Sequence, residues 1–201
     1  MRRVALNDTF RYTRLVIDGV KTQFLEVIAC PKKRCGKDVG GFAFEEDNGV
    51  LNPFSGHYYD TTGKRITRSH LCPTYSVGEV VAVAQCYQDV LADGKATKEQ
   101  KKTAIGHVFK NDLSAFYKSL IKAEDMPHRI RIDGVRVMRL QELTDEDIAK
   151  EGIRANLGYM EHGNVMYKKF QSDREAFLFV MRREWKSNPF VFIYDFTLLQ
   201  Q

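Results

Sequence analysis

Residues 129–152 read RIRIDGVRVMRLQELTDEDIAKEG, a pattern that predicts a strand running directly into a short helix. Ile130 and Ile132 alternate with arginines, as expected when one face of a sheet is buried and the other faces solvent. After the Asp-Gly pair that follows, valines resume the alternation. We therefore predict a strand over residues 130–140.

The helix after this strand carries its own start and stop signals. The hydroxyl of Thr144 can accept a hydrogen bond from a free backbone N–H, and the three acidic residues that follow favour the positive end of the helix dipole. Gly152 can close the last turn. We predict a helix over residues 144–151, which at two turns depends on tertiary contacts.

Other segments carry weaker signals of the same kind. Two capping boxes, Thr97 with Gln100 and Ser172 with Glu175, precede apolar positions at helical spacing. β-branched and aromatic density indicates further strands. The predicted helices are 9–18, 98–109 and 173–186, and the predicted strands are 20–28, 79–84 and 190–198.

Three segments show no sustained period. Residues 30–70 are rich in glycine, proline and polar side chains and predict a long loop or a short irregular hairpin. Residues 156–164 predict a polar loop. Residues 113–121 fit a helix or a strand equally well, and the sequence leaves that choice open.

Composition limits the class of protein. A hydrophobic content of 43% is enough for a packed core, so one folded domain is predicted. No apolar run approaches a membrane span and the first residues lack a signal peptide, so we expect a cytoplasmic protein without membrane association. Four cysteines favour a reducing compartment over a disulfide framework. The net charge of +5 permits an anionic partner without requiring one.

Four segments, in this order, resemble the ASCH family of the PUA-like superfamily, especially its phage and prophage members. Residues 14–28, RLVIDGVKTQFLEVI, are similar to the family's opening helix, Gly-x-Lys-Thr turn and first strand. Residues 72–85, CPTYSVGEVVAVAQ, resemble its Gly-Asp/Glu turn and following strand. Residues 126–153 resemble its Met-Pro, Arg-rich strand and helix, and residues 183–199 its Trp, Asn-Pro and final strand.

The resemblance implies an α+β fold, a small and mostly antiparallel β-barrel with flanking helices. It covers residues 1–201 as one domain, with poorly matched insertions near 30–70, 90–125 and 154–170. A cleft between barrel and helices would suit RNA or a nucleoside. We therefore expect an RNA-binding module.

Lys21 is the one candidate catalytic residue. The acetylcytidine amidohydrolases of the superfamily use a lysine here, a threonine three residues later and a glutamate after the strand that follows the Gly-Asp turn. This sequence has Phe24 and Gln85 where we align the threonine and the glutamate, so the resemblance implies that this hydrolysis is lost. A hydrolase acting on a modified nucleoside or RNA, and an inactive interaction protein, remain the alternatives; an ordinary surface lysine is the commonest fate of this residue type.

Four arginines recur along the central strand, so several of them could line one surface that neutralises phosphates. The alternative is a solvated face paired with acidic neighbours such as Glu142. Trp185 could stack on a base, although its position in the helix favours the core. The candidate nucleic-acid contacts are Lys21, Thr22, Gln85, Arg129, Arg131, Arg136, Arg139 and Trp185.

Cys30, Cys35, His70 and Cys72 supply four residue types that bind zinc. A zinc ion would hold together the irregular segment 30–70. Against this, the spacing between the first two cysteines is four residues, whereas close pairs in zinc sites are usually separated by two. Zinc is therefore the only cofactor that the sequence suggests. The alternative is that these four side chains bind no metal.

Overall fold

The structure is a computed structural model that describes residues 1–6, 8–108, 122–162 and 164–199; the undecided segment 113–121 lies outside this part of the chain. The strands are β1 (Arg3–Val4), β2 (Gln23–Val27), β3 (Lys33–Arg34), β4 (Lys37–Ala43), β5 (Glu46–Asp47), β6 (Val50–Leu51), β7 (Gly56–Asp60), β8 (Arg65–Leu71), β9 (Val80–Val83), β10 (Arg129–Arg139), β11 (Asn156–Glu161), β12 (Asn164–Lys169) and β13 (Phe190–Leu199). The helices are α1 (Tyr12–Ile17), α2 (Tyr87–Ala92), α3 (Lys98–Val108), α4 (Asp145–Lys150), α5 (Asp173–Val180) and α6 (Arg182–Trp185).

The main sheet has the strand order β1-β9-β10-β13-β2 and curls into a half-barrel. Its pairs are antiparallel except for β1 with β9. All four segments predicted as strands of one barrel lie in this sheet. The α+β class is therefore confirmed, with strands as the larger part.

The pairing of β10 with β13 is the centre of the sheet and extends along the whole of β10. A β-bulge falls between Ile132 and Gly134, the point where the sequence alternation shifts. On one face Ile130 and Ile132 enter a core that also holds Phe24 from β2. On the other face a second core packs Ile193 against the helices. Both faces of the central strands are thus covered.

The helices predicted from the sequence are present, but two of them are each divided into two segments. Thr144 caps α4 by accepting a hydrogen bond from the Asp147 N–H, as predicted. The predicted helix 9–18 is divided by Arg11, whose φ of 57° ends a short 3-10 turn before α1 begins. The predicted helix 173–186 is divided at Met181 into α5 and α6. In the described part of the chain, no helix is both long enough and apolar enough to cross a membrane.

The prediction of a loop or a short hairpin over residues 30–70 is wrong. This segment forms a four-stranded sheet, β3-β4-β7-β8, with the small pair β5-β6 at its end. The sequence did not reveal these strands, because β4 contains two adjacent glycines and three of the other strands are only two residues long. The sheet is attached to the main core through Phe44, whose ring lies 5.7 Å from that of Phe190 and 5.8 Å from that of Phe192.

The polar loop predicted over residues 156–164 is also wrong. Strands β11 and β12 pair as an antiparallel hairpin from Asn156 with Lys169 to Glu161 with Asn164. Every residue of β12 is exposed, so neither of its faces carries the apolar alternation that identifies a strand in a sequence.

We expect Phe44→Ala to loosen the four-stranded sheet more than the main sheet. Phe44 is half-buried, so the loss should be about 2 kcal/mol, below the value for a fully buried ring. Amide hydrogen exchange should become faster within residues 37–71 and change less in β10. The matched control is Phe54→Ala, because Phe54 is 48% exposed; equal effects of the two substitutions would contradict the packing role of Phe44.

Candidate functional site

Lys21 is buried at the junction of α1, β2 and α4, with 1% of its surface exposed. Its backbone N–H donates to the Leu15 carbonyl at 3.0 Å, and the next N–H donates to the Lys150 carbonyl at 2.9 Å. These two bonds hold the end of α1 against the end of α4. The alternative of an ordinary surface lysine is therefore wrong for Lys21.

Glu151, which the sequence did not indicate as a site residue, is the partner of Lys21. The ammonium donates to the Glu151 carboxylate and, at 3.2 Å, to the Glu151 main-chain carbonyl. It also lies 4.3 Å from the centroid of the Tyr12 ring. Gly152 permits this approach, because its φ is 76° and a Cβ there would lie 3.1 Å from the Lys21 Cβ.

Burial removes Lys21 and Glu151 from water, which disfavours the charged form of each group. Burial lowers the pKa of Lys21, although the Glu151 charge opposes this shift. Burial likewise raises the pKa of Glu151, although Lys21 opposes it. Because one pKa is lowered and the other is raised, the two pKa values lie closer together than in water, and proton transfer between the groups is easier.

A cavity of about 360 Å³ has Lys21 and Glu151 in its wall, and we call it the Lys21 cavity. Three aromatic rings also line it, those of Tyr12, Phe24 and Tyr75. Its polar rim holds Glu26, which accepts hydrogen bonds from the Thr74 hydroxyl at 2.6 Å and from the Tyr194 hydroxyl at 2.5 Å. The remaining lining is apolar: Val4, Ala5, Leu6, Leu25 and Met181.

Arg136 belongs to the same polar network as Lys21. Its guanidinium donates to Asp147 at 2.8 Å and to the Gln23 side-chain oxygen at 3.1 Å. Gln23 in turn donates to Glu151 at 3.4 Å. Burial alone would raise the pKa of Asp147, but hydrogen bonds from Arg136 and Thr144 outweigh this and keep that pKa below its ordinary value. Through these contacts Lys21 and Arg136 connect β2 and β10 to α4.

The strand register places Arg129, Arg131 and Arg136 on one face of β10 and Arg139 on the other, because the bulge keeps Arg136 on the face of Arg131. The Arg139 guanidinium lies 3.8 Å from the Phe190 ring centroid. Arg131 pairs with Asp133 at 2.8 Å, and Arg129 donates to the Glu124 carbonyl at 3.4 Å. The alternative of a surface paired with local acceptors describes these side chains better.

The remaining candidate residues are dispersed. Thr22 is exposed beside Lys21, and Phe24 is buried and stacked on Tyr194 with ring centroids 4.6 Å apart. Gln85 is buried but lines a different cavity. Trp185 packs edge-on to Phe177 in the second core, in agreement with its structural interpretation.

The four proposed zinc ligands are not brought together in an evident site. Cys30, Cys35 and Cys72 are free and exposed, and the Cys35 thiol faces the Arg68 carbonyl at 3.9 Å. Within the described residues, no group of three or more potential ligands is close enough to hold a metal ion. The zinc site thus stays a prediction from spacing alone.

Comparisons with protein-family models, with curated proteins and with solved structures gave no significant match to this chain.

We expect Lys21→Met to cost about 3–5 kcal/mol of unfolding free energy, because Glu151 would be left as an unpaired buried charge. The double variant Lys21→Met/Glu151→Leu should recover most of that loss, since both charges are then removed together. Urea denaturation measures both values. Lys33→Met is the control, because the Lys33 side chain is 72% exposed and its ion pair at 3.8 Å should contribute only about 0–1 kcal/mol. Additive losses in the double variant would contradict the pairing.

We expect Asp147→Asn to cost about 1–3 kcal/mol at neutral pH through the lost contacts with Arg136 and Thr144. Because folding lowers the pKa of Asp147, its contribution is complete above the unfolded pKa and is lost as the pH falls through the folded one. The difference between wild type and variant should therefore shrink below about pH 4. Asp145→Asn on the same helix is the control, because Asp145 is 83% exposed; a difference that persists at pH 2 would refute the assignment.

Proposed function

We propose that this chain is an ASCH-type, PUA-like module that binds RNA by holding one nucleoside in the Lys21 cavity. The observation that carries the proposal is the ion pair of Lys21 with Glu151 in the cavity wall. A buried ion pair is a weak source of stability, since apolar side chains of similar volume often replace it without loss. Perturbed, paired charges in a cleft are instead typical of functional sites.

The size and the lining of the cavity fit a nucleoside. Its volume of about 360 Å³ lies within the usual range for small-molecule pockets. The Tyr12, Phe24 and Tyr75 rings supply flat apolar surface of the kind on which unpaired bases stack. Thr74 and Glu26 at the rim are polar groups that can accept hydrogen bonds from ribose hydroxyls or base amino groups.

The charge of the cavity argues for contact with the base and the ribose, not with phosphate. Glu151 neutralises Lys21, and Glu26 adds a further negative charge. A phosphate placed there would be repelled. Affinity for a free nucleoside should accordingly vary little with salt concentration, in contrast to a protein that reads the phosphate backbone.

The arrangement of the main sheet supports the family assignment. The four segments that resemble the ASCH family contribute β2, β9, β10 and β13, which are neighbours in one curled sheet. The helix predicted from the same resemblance is α4, and it ends at Glu151 in the cavity wall. Residues that resemble the family at separate points of the sequence thus meet around one cavity.

A hydrolase acting on a modified nucleoside is the second candidate, and the Lys21–Glu151 contact favours it. Glu151 could take a proton from water as the water oxygen adds to an amide carbonyl, and Lys21 could give a proton to the nitrogen as the C–N bond breaks. Phe24 offers no nucleophile, so water would have to fill that role directly.

Calorimetric titration of the full chain with cytidine, uridine, adenosine and guanosine tests the binding proposal, together with anisotropy of a labelled RNA hexamer. Tyr75→Leu should weaken binding by about 10-fold or more, because base stacking on an aromatic ring is worth about 1–3 kcal/mol. Tyr167→Leu is the matched control, since Tyr167 is 63% exposed on β12 and away from the cavity. If no nucleoside and no RNA binds to wild type, the inactive interaction protein becomes the better hypothesis.

The two candidates separate when N4-acetylcytidine is the ligand. Binding alone leaves the acetyl group in place, whereas hydrolysis releases acetate and cytidine. In the second case Glu151→Gln should stop product release while preserving a neutral hydrogen-bonding group beside Lys21. Absence of product from wild type over a long incubation would eliminate the hydrolase.

A further inference from the structure

A second cavity, of about 300 Å³, lies between α1, α2 and the end of β9, and we call it the Gln85 cavity. Its apolar lining includes Ile17 and Met160, and three carboxylates from Asp8, Asp89 and Asp93 line it as well. None of the residues of the Lys21 cavity takes part in it. Any ligand here would therefore be additional to the nucleoside proposed above.

Gln85 leaves an unused hydrogen-bond acceptor at this cavity. Its side chain is 98% buried, since only 2% of the residue surface is exposed. The amide nitrogen donates to the Asp93 carboxylate at 3.3 Å. This fixes the orientation of the amide, because the reverse orientation would place an oxygen against a carboxylate. The remaining oxygen, Oε1, has no hydrogen-bond partner in the described part of the chain.

Neighbouring groups do not explain this arrangement. Asp93 is already engaged by the His128 Nε2 at 2.5 Å and by the Lys95 N–H at 2.8 Å. An unsatisfied buried acceptor carries a cost in stability, and such groups are few in native proteins. A ligand that brings a hydrogen-bond donor to Gln85 Oε1 would remove that cost.

The carboxylates specify the charge of such a ligand. Asp8 and Asp89 line the same cavity; burial raises the pKa of Asp8, and the negative charge of Asp89 adds to that shift. Asp8 uses one oxygen to accept the Thr13 N–H at 3.2 Å, and Asp89 uses one to accept the Cys86 N–H at 3.0 Å. Two cations also line the cavity, Arg14, which is engaged by Asp18 at 2.9 Å, and Arg11, so the three carboxylates are in excess. A cation between Asp8 and Asp89 would relieve their repulsion.

We propose that the Gln85 cavity binds a small organic amine, whose ammonium group donates to Gln85 Oε1 and lies between the Asp8 and Asp89 carboxylates. Ile17 and Met160 contact the carbon chain of the amine. An ammonium has three donors and no acceptor, which matches a wall that presents one amide oxygen and carboxylate oxygens. A volume of about 300 Å³ is at the lower end of the range for ligand pockets, so the amine is compact.

Putrescine is the probe, and 1,4-butanediol is its neutral counterpart with the same carbon chain. Calorimetric titration of the full chain should show saturable binding of putrescine and none of the diol. Asp8→Asn should weaken putrescine binding by about 10-fold, because it removes one charge from the cavity while keeping an oxygen for the Thr13 N–H. Gln85→Leu should weaken it to a similar degree or more.

Asp38→Asn is the matched control. Asp38 lies on β4 and carries the same charge, but it is 68% exposed, pairs with Lys33, and neither residue lines the cavity. This variant should change the affinity by less than about twofold, as expected for an exposed ion pair. Circular dichroism establishes that each variant is folded, and Asp8→Asn decides the question if Gln85→Leu does not fold.

Three results would overturn the proposal. One is the absence of saturable putrescine binding to wild type. The second is an equal loss in Asp8→Asn and Asp38→Asn, which would show only attraction to overall negative charge. The third is displacement of putrescine by an equimolar amount of Mg²⁺, which would assign the carboxylates to a metal ion. Nucleoside binding at the Lys21 cavity does not enter any of these outcomes.

Discussion

The pairing of β10 with β13 is the interaction on which the rest of this structure depends. β9 pairs with the first three residues of β10, and β2 pairs with the middle of β13, so both halves of the main sheet are attached to this ladder. The two cores lie on its opposite faces. The bulge between Ile132 and Gly134 changes which side chains face which core, and it thereby keeps Arg136 on the same face as Arg131.

The position of this ladder also explains why Arg136 and Lys21 pair with acidic residues within the chain. A period-two strand with regularly spaced arginines suggests a charged outer face, but the face of Arg136 is covered by α4 and its acidic residues. Lys21 is covered from the same side by Glu151. Two cations that the sequence offered for phosphate binding are thus engaged in joining strands to a helix. The Lys21 cavity therefore has no excess of positive charge.

The sequence predicted the structure correctly where contacts between residues close in the chain determine it. The Thr144 cap and the alternation on either side of Asp133 involve contacts within a few residues, so they could be read directly. The strands at 30–70 could not, because their glycines and short lengths leave no alternation to read. The Lys21–Glu151 pair joins residues 130 positions apart, and only the tertiary fold brings them together. Gln85 was singled out by resemblance, but its unused acceptor is a property of packing that no sequence pattern expresses.

The strand order of the main sheet has a consequence for biosynthesis. Within the main sheet β2 pairs only with β13, yet about 160 residues of chain separate them. A ribosome that makes β2 early therefore releases it long before its partner exists, and the apolar residues Phe24 and Leu25 have no sheet to join during that interval. Contacts of such wide sequence separation form slowly, because loop closure must precede any gain from pairing. The sheet is completed only when β13 has left the ribosomal exit tunnel, so the apolar side chains of β2 stay without their sheet partner during most of synthesis.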